Sequence, residues 1–164
     1  MTMSAFTAVL RGVIQMTGRR TIGIDNPTDE IKQTYQQSVA VGTGSGQINE
    51  MFHVNGTIAG GANDYDVRGG IVDALGQTVT MVEVCLIALK NNGVANMIIG
   101  NDAAAFVAFF GAAAHTVTVA PGGFFMIWNL NDPAWVPVAG TGDVLQVAGT
   151  NGDTFHLIIG GRQA

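Results

Sequence analysis

At 164 residues the chain suits one domain, or one domain with an arm, and its 48% hydrophobic content is enough for a full core. Only 12% of residues are charged, about half the usual share, and a net charge of −5 argues against a general nucleic-acid binder. No apolar run reaches the ~18 residues a membrane span needs, and a single cysteine, Cys85, excludes an internal disulfide.

So little charge, with a mean hydropathy of +0.33, leaves a weakly polar surface that calls for burial against other chains. The alternative is an exposed surface rich in Gly, Thr, Asn and Gln. Twenty-three glycines follow no collagen period. They fall between short apolar runs, as the turns of an all-β protein do. Near the N-terminus Arg11 interrupts the segment AFTAVLRGVIQM, so no signal peptide is read. The expectation is a protein made in a cytoplasm that stays there or enters an assembly.

In chain order, Ala5 to Met16 suits a strand. Arg11, Arg19 and Arg20 give the first twenty residues a positive charge with no acid, and Asp25, Asp29 and Glu30 then reverse the sign. Asn26-Pro27 is a breaker. A short helix from Pro27 to Gln37 is compatible with proline in its first turn, with only Ile31 and Tyr35 for an apolar face. GTGSGQ at 42–47 reads as a flexible linker. Residues 1–47 thus read as an N-terminal arm that needs a partner surface and is poorly ordered without one. The alternative is an ordinary first part of the same sandwich. Residues 48–164 read as the β-sandwich domain.

Within that domain MFHVNGTIAGG reads as a strand with an Asn-Gly interruption, and NDYDVRG leads into the stretch that organises the chain. IVDALG suits one helical turn. Thr78 to Lys90 is the longest strand-like run, free of Gly and Pro. Its phase changes at Glu83. Val84, Leu86 and Ala88 then share one face, and Cys85, Ile87 and Leu89 the other, as in a strand covered on both sides. A β-bulge there would turn Glu83 outward and keep Met81 and Val84 inside; a plain edge strand with Glu83 exposed is the other reading. ANMIIG is a short buried strand. DAAAFVAFFGAAAH favours irregular structure or strand over a helix capped by Asp102. Thr116–Ala120, FFMIWNL, Asp143–Ala148 and Thr154–Gly160 complete about eight strands, with Asn151-Gly152 as a hairpin signal. The class is all-β: an antiparallel β-sandwich, jelly-roll-like, with an N-terminal arm. Val79, Val84, Leu86, Ile98, Val119, Phe125, Ile127, Leu145, Phe155 and Leu157 are expected inside.

Chemistry is sparse. No P-loop, HExxH or nucleophile elbow occurs, and GTGSG lacks the Lys-Ser/Thr of a phosphate loop. His53, His115 and His156 form no ligand-spaced pair. Asn63, Asp64 and Asp66 carry oxygens suited to calcium, with loop solvation the simpler account. Glu83 with Asp73 or Asp143 would make a carboxylate pair only if they converged. Trp128 and Trp135 suit sugar stacking, or packing. Cys85 reads as a small core residue. No catalytic residue, cofactor or metal site is expected.

Two blocks carry a resemblance. TIAGGANDYDVRGGIVDALGQTVTMVEVCLIALKNN resembles a segment of small virion proteins of tailed bacteriophages and prophages. There a DL-G-L-DA-G segment precedes a β run ending in Asn. TVTVAPGGFFMIWNLNDPAWVPVAGTGDVLQVAGTNGDTFHLIIGG resembles the same proteins' V-PGG turn, aromatic loop and closing hairpin. The likeness covers residues 57–161, and Val67 stands where that pattern has Leu. It implies a capsid cement or decoration subunit on the virion surface, often trimeric and partnered by the major capsid protein, while charge, hydropathy and the missing motifs set the expectation of no enzyme, nucleic-acid or membrane role. Arg11, Arg19, Arg20 and Trp135 are then the candidate capsid contacts. The alternative implied is a tail-fibre or spike module binding a host-surface glycan, and a glycan-active enzyme is the remotest reading.

Overall fold

Alternation of β-branched and apolar residues with polar ones makes strand of most of the chain, and glycine turns end each run. A computed structural model describes residues 7–19 and 28–163. In chain order the strands are β1 (Thr7–Arg19), β2 (Thr28–Val41), β3 (Gln47–Ile48), β4 (Glu50–Thr57), β5 (Ala62–Asp66), β6 (Ile71–Val72) and β7 (Thr78–Val79). There follow β8 (Glu83–Asn91), β9 (Met97–Gly100), the helical turn α1 (Val107–Phe110), β10 (Thr116–Val119), β11 (Phe124–Trp128), β12 (Val144–Ala148) and β13 (Thr154–Arg162).

Eight of these form two four-stranded antiparallel sheets, ordered β11-β8-β13-β4 and β10-β9-β12-β5. Counted in chain order, these eight run 6-3-8-1 in one sheet and 5-4-7-2 in the other. That is the strand order of a jelly roll. Among these eight only β9 and β10 are both consecutive and paired, so every other connection within the sandwich crosses between sheets. The core lies between them: Ile87 and Leu89 of β8, Phe155, Leu157 and Ile159 of β13, Ile99 of β9, and Leu145 and Val147 of β12 are fully buried.

Several expectations change. Asn151-Gly152 closes no hairpin, because β12 and β13 lie in different sheets. Gly152 takes the positive φ such a dipeptide favours (+90°), and its N–H donates to Ile58 O, so the turn carries the chain across the sandwich. IVDALG is not a helical turn. Ile71–Val72 pairs with Thr78–Val79 as a small ribbon, and Asp73 Oδ1 accepts the N–H groups of Leu75 and Gln77. A single helical turn, Val107–Phe110, does form within the irregular 102–115 segment, ended by Gly111 at φ +81°. Ile98 is 38% exposed, and its neighbours Met97 and Ile99 point inward instead. Three successive apolar residues leave the phase of so short a strand open, and pairing of Ile99 with the inward Val147 decides it.

The Pro27–Gln37 helix is overturned: Thr28–Val41 is strand. Ile31 and Tyr35 are four apart, a spacing that suits one face of a helix or of a strand. Pairing with β1 along thirteen residues settles it. GTGSGQ is not a free linker but a turn, in which Gly46 N–H donates to Leu130 O and Gly44 N–H to Gln47 Oε1.

The bulge falls at Cys85 and not at Glu83. Leu86 pairs with Gly160 and Val84 with Gly161, so Cys85 has no opposite number. Cys85 and Leu86 therefore both face away from the core, and Ala88 with them, whereas Val84, Ile87 and Leu89 face into it. Met81 and Val84 are both fully buried, although the bulge does not lie between them. Gly161 is obligatory there, since a Cβ would lie 2.3 Å from Glu83 O.

Truncating Leu157 to Ala should cost roughly 2–5 kcal/mol, against under about 1 kcal/mol for Ile98→Ala at its outward position. Urea unfolding of the two variants measures both, and equal costs would refute the assigned phases.

Candidate functional site

Register gives the β1–β2 hairpin two unlike faces, because side chains alternate and paired residues share a side. One face carries Leu10, Ile14, Met16, Ile31, Tyr35 and Val39, with Gly12, Gln33 and Gln37 among them. The other carries Arg11, Gln15, Thr17, Glu30, Lys32, Thr34, Gln36 and Ser38, with Val9 and Val13. Over residues 9–17 and 30–39 the first is an apolar stripe with no side chain ionised at neutral pH, and register continues that face to Gly18 opposite Asp29. Only its base is covered. Leu10 and Val39 are buried against Ile48, Cys85 and Leu86, with Met126, Trp128, Leu130 and Ala134 alongside. Farther out Ile14 is 51% exposed, Met16 62%, Ile31 45% and Tyr35 56%. Covering what remains open would add roughly 1 kcal/mol per side chain.

A buried cation fixes the base of this arm. Arg162, 1% exposed, pairs through Nη1 with Glu83 Oε2. Its Nε donates to Gln47 O (2.9 Å), Nη1 to Asn131 O (2.8 Å) and Nη2 to Leu130 O (2.9 Å). Glu83 Oε2 also accepts Ala134 N–H. One planar guanidinium thus joins β3 at the arm's root, the 129–134 loop and the start of β8. Beside it burial pushes the Cys85 thiol up to about 11, against the opposing pull of Arg162, so it stays protonated and inert at neutral pH.

The outer faces of the two sheets differ. Cross-strand rows on the first sheet are Trp128–Leu86–Gly160–Met51, Met126–Ala88–Ile158–His53 and Phe124–Lys90–His156–Asn55. Lys90 is the one Lys, Arg, Asp or Glu among those twelve positions. The second sheet turns outward Asp64 and Asp66 of β5, Gln146 of β12 and Thr116 and Thr118 of β10. Gln146 Nε2 donates to both Asp64 Oδ1 and Asp102 Oδ2. The first face carries one lysine and no carboxylate and is continuous with the arm's base, and the second carries Asp64 and Asp66 beside the outward Ile98, Val144 and Ala148.

The contact candidates separate on this frame. Arg11 is exposed on the arm's polar face and meets no carboxylate among the described residues. The Arg19 backbone ends β1, and Arg20 lies outside the described residues. Trp135 is held by packing and by the backbone. It is half-buried, packs edge-on against Phe109 at 5.1 Å, and exchanges backbone hydrogen bonds with Val84. Trp128 packs against the arm-base cluster. Glu83, Asp73 and Asp143 do not converge: Glu83 serves Arg162, Asp73 its own turn, and Asp143 Oδ2 the Gly140 N–H. Asn63 Oδ1 accepts Ala59 N–H, and Asp66 Oδ1 accepts Arg68 N–H. Strand pairing brings His53 and His156 to diagonal positions on the apolar sheet face. No group of three His, Cys, Asp or Glu is placed to hold a metal among the described residues. Nor, among them, is any helix long and apolar enough to cross a membrane.

Arg162 was not singled out by sequence. The available signal was Glu83, an acid inside an apolar run of a charge-poor chain, which requires a cation nearby. No family model, curated protein or solved structure matches the chain.

Replacing Arg162 with Met should destabilise the fold by roughly 3–5 kcal/mol, because Glu83 is left without its cation. Adding Glu83→Gln should recover part of that loss. Chemical denaturation of the single and double variants measures both, and a single-variant cost below about 1 kcal/mol would contradict the buried pair.

Proposed function

We propose that this protein is a structural subunit of a tailed-phage particle, a cement or decoration protein that binds the head shell and ties neighbouring capsid subunits together. The observation that carries the reading is the hairpin arm, an amphipathic two-stranded ribbon whose apolar stripe is open beyond Leu10 and Val39. Isolated ribbons of two strands are marginal in water, so such an arm implies a surface that receives it. The likeness of residues 57–161 to small virion proteins supplies the setting and the trimer. Three copies joined together engage several shell subunits at once, and modest contacts then add through effective concentration. The glycan-binding alternative asks for an open aromatic platform, and both tryptophans are half-buried in packing contacts.

Purified protein added to shells that lack it should bind at a copy number set by the shell's subunits and raise the temperature at which the shells open. The apolar-stripe pair Ile14→Asp, Tyr35→Asp should lower occupancy more than tenfold, about 1.4 kcal/mol or more. Replacing Arg11, Arg19 and Arg20 by Gln should weaken binding less, mainly at low salt, since exposed ion pairs are worth about 0–1 kcal/mol each. Absence of binding, or a copy number matching only the few fibres of a tail, would overturn the shell reading.

A further inference from the structure

We infer that the arm's apolar stripe docks on the apolar outer face of the β11-β8-β13-β4 sheet of a second copy of this chain. The contact already exists in miniature within one copy. At the arm's base Leu10 and Val39 pack on Cys85 and Leu86, beside Met126 and Trp128. The stripe then runs on through Ile14, Tyr35, Met16 and Ile31, away from its own sheet and open to solvent. The sheet face likewise runs on, past the buried Ala88 and half-buried Met126, to the exposed Ile158 and Phe124. Each surface continues past its intramolecular partner, and each is the kind of surface the other already accepts.

Charge favours the same occupant. From Leu10 to Met16 and from Ile31 to Val39 the stripe carries no ionised side chain, with Asp29 opposite Gly18 at the next position of that face, and Lys90 is the one lysine, arginine or carboxylate in the three rows of the sheet face, beside His53 and His156. Neither repels the other, and neither offers the opposite charge that would select an acidic or basic partner. The acidic outer face of the other sheet, with Asp64, Asp66 and Asp102, is the poorer receiver.

Area requires reciprocity. Nine residue pairs of the ribbon lie beyond the base. At ~3.3 Å per residue and ~4.8 Å per strand they present a face of roughly 30 by 10 Å. One such contact hides roughly 600 Å² counted over both partners, half the ~1,200 Å² at which specific interfaces begin, so a single junction is weak and the copies must be held by several junctions at once. Each copy carries one arm and one receiving face, so a closed ring of copies uses both on every chain and leaves none open. A different protein in the same place would satisfy one surface and leave the other bare. This contact deepens the shell reading by making the stripe's receiver a neighbouring copy, so that shells bind the joined copies, and it is tested without shells.

Two variants, Tyr35→Cys on the stripe and Ile158→Cys on the sheet face, are mixed in equal amounts and mildly oxidised. Cys85 is buried in both and takes no part. The expected product is a disulfide-linked pair with one chain of each variant, in large excess over pairs of like variants. The unmutated protein should sediment as an oligomer at micromolar concentration, and Ile14→Asp with Tyr35→Asp should shift it to monomer with the sandwich still folded by circular dichroism. Predominant Tyr35→Cys self-pairs would show arm lying on arm and overturn the inference. Absence of cross-links with a monomeric unmutated protein would overturn it equally, whatever the protein does on shells.

Discussion

The arrangement depends on one buried guanidinium. Arg162 ends the last strand of the sandwich, and its donors reach the arm's root at Gln47, the loop carbonyls of Leu130 and Asn131, and Glu83 on β8. Taking that charge out of water is costly, and the partners roughly offset the cost without adding much net stability. What the cluster supplies is a defined arrangement. An apolar plug of the same volume would hold these segments together in several ways, whereas a planar fork with four directed contacts holds them in one. The bulge at Cys85 belongs to the same design. It turns both Cys85 and Leu86 outward under the arm, so the sheet offers the base an apolar seat.

From that fixed root the hairpin carries its apolar stripe away from the body. Burial on one side only is the ordinary condition of an antiparallel sheet, and a free ribbon with one apolar face lacks the layer it is patterned for. The outer edge of β1 pairs with no other described strand along its thirteen residues, and such edges recruit further chain unless they are covered. The low charge content points the same way. So few charges, on a sheet face and an arm that leave large apolar side chains exposed, are what the proposed docking would cover. The jelly roll itself carries no such demand; it is a closed core with a full interior.

Much of the sandwich was legible in the sequence, because period-two alternation and glycine turns are local signals. Seven of the ten expected core residues are buried, Phe125 and Ile127 are half-buried, and Ile98 faces out. Of the seven, Leu86 lies in the outer cluster under the arm and not between the sheets. Failures occurred where a local signal is satisfied by more than one arrangement. Ile31 and Tyr35 suit a helix or a strand face. Asn151-Gly152 marks a tight turn but not which strands flank it in space, and in a jelly roll most successive strands lie in opposite sheets. Glu83 marked the irregularity in β8, yet the bulge sits two residues on, where Gly160-Gly161 admits it. Nothing local links Glu83 to Arg162, seventy-nine residues away. The apolar arm stripe was written in the sequence as Leu10, Ile14 and Met16 against Ile31, Tyr35 and Val39, but it becomes visible only once the two strands are in register.

The central claim is that the arm completes itself only against another molecule. Amide hydrogen exchange of the purified protein, followed residue by residue over a wide range of protein concentration, tests it most directly. Exchange at Arg11–Thr17 and Glu30–Ser38 should slow as concentration rises, together with the margins of the β11-β8-β13-β4 sheet, while Leu89, Leu145 and Leu157 stay protected throughout. Exchange in the arm that keeps one rate at every concentration, beside an unchanged sandwich, would contradict the account.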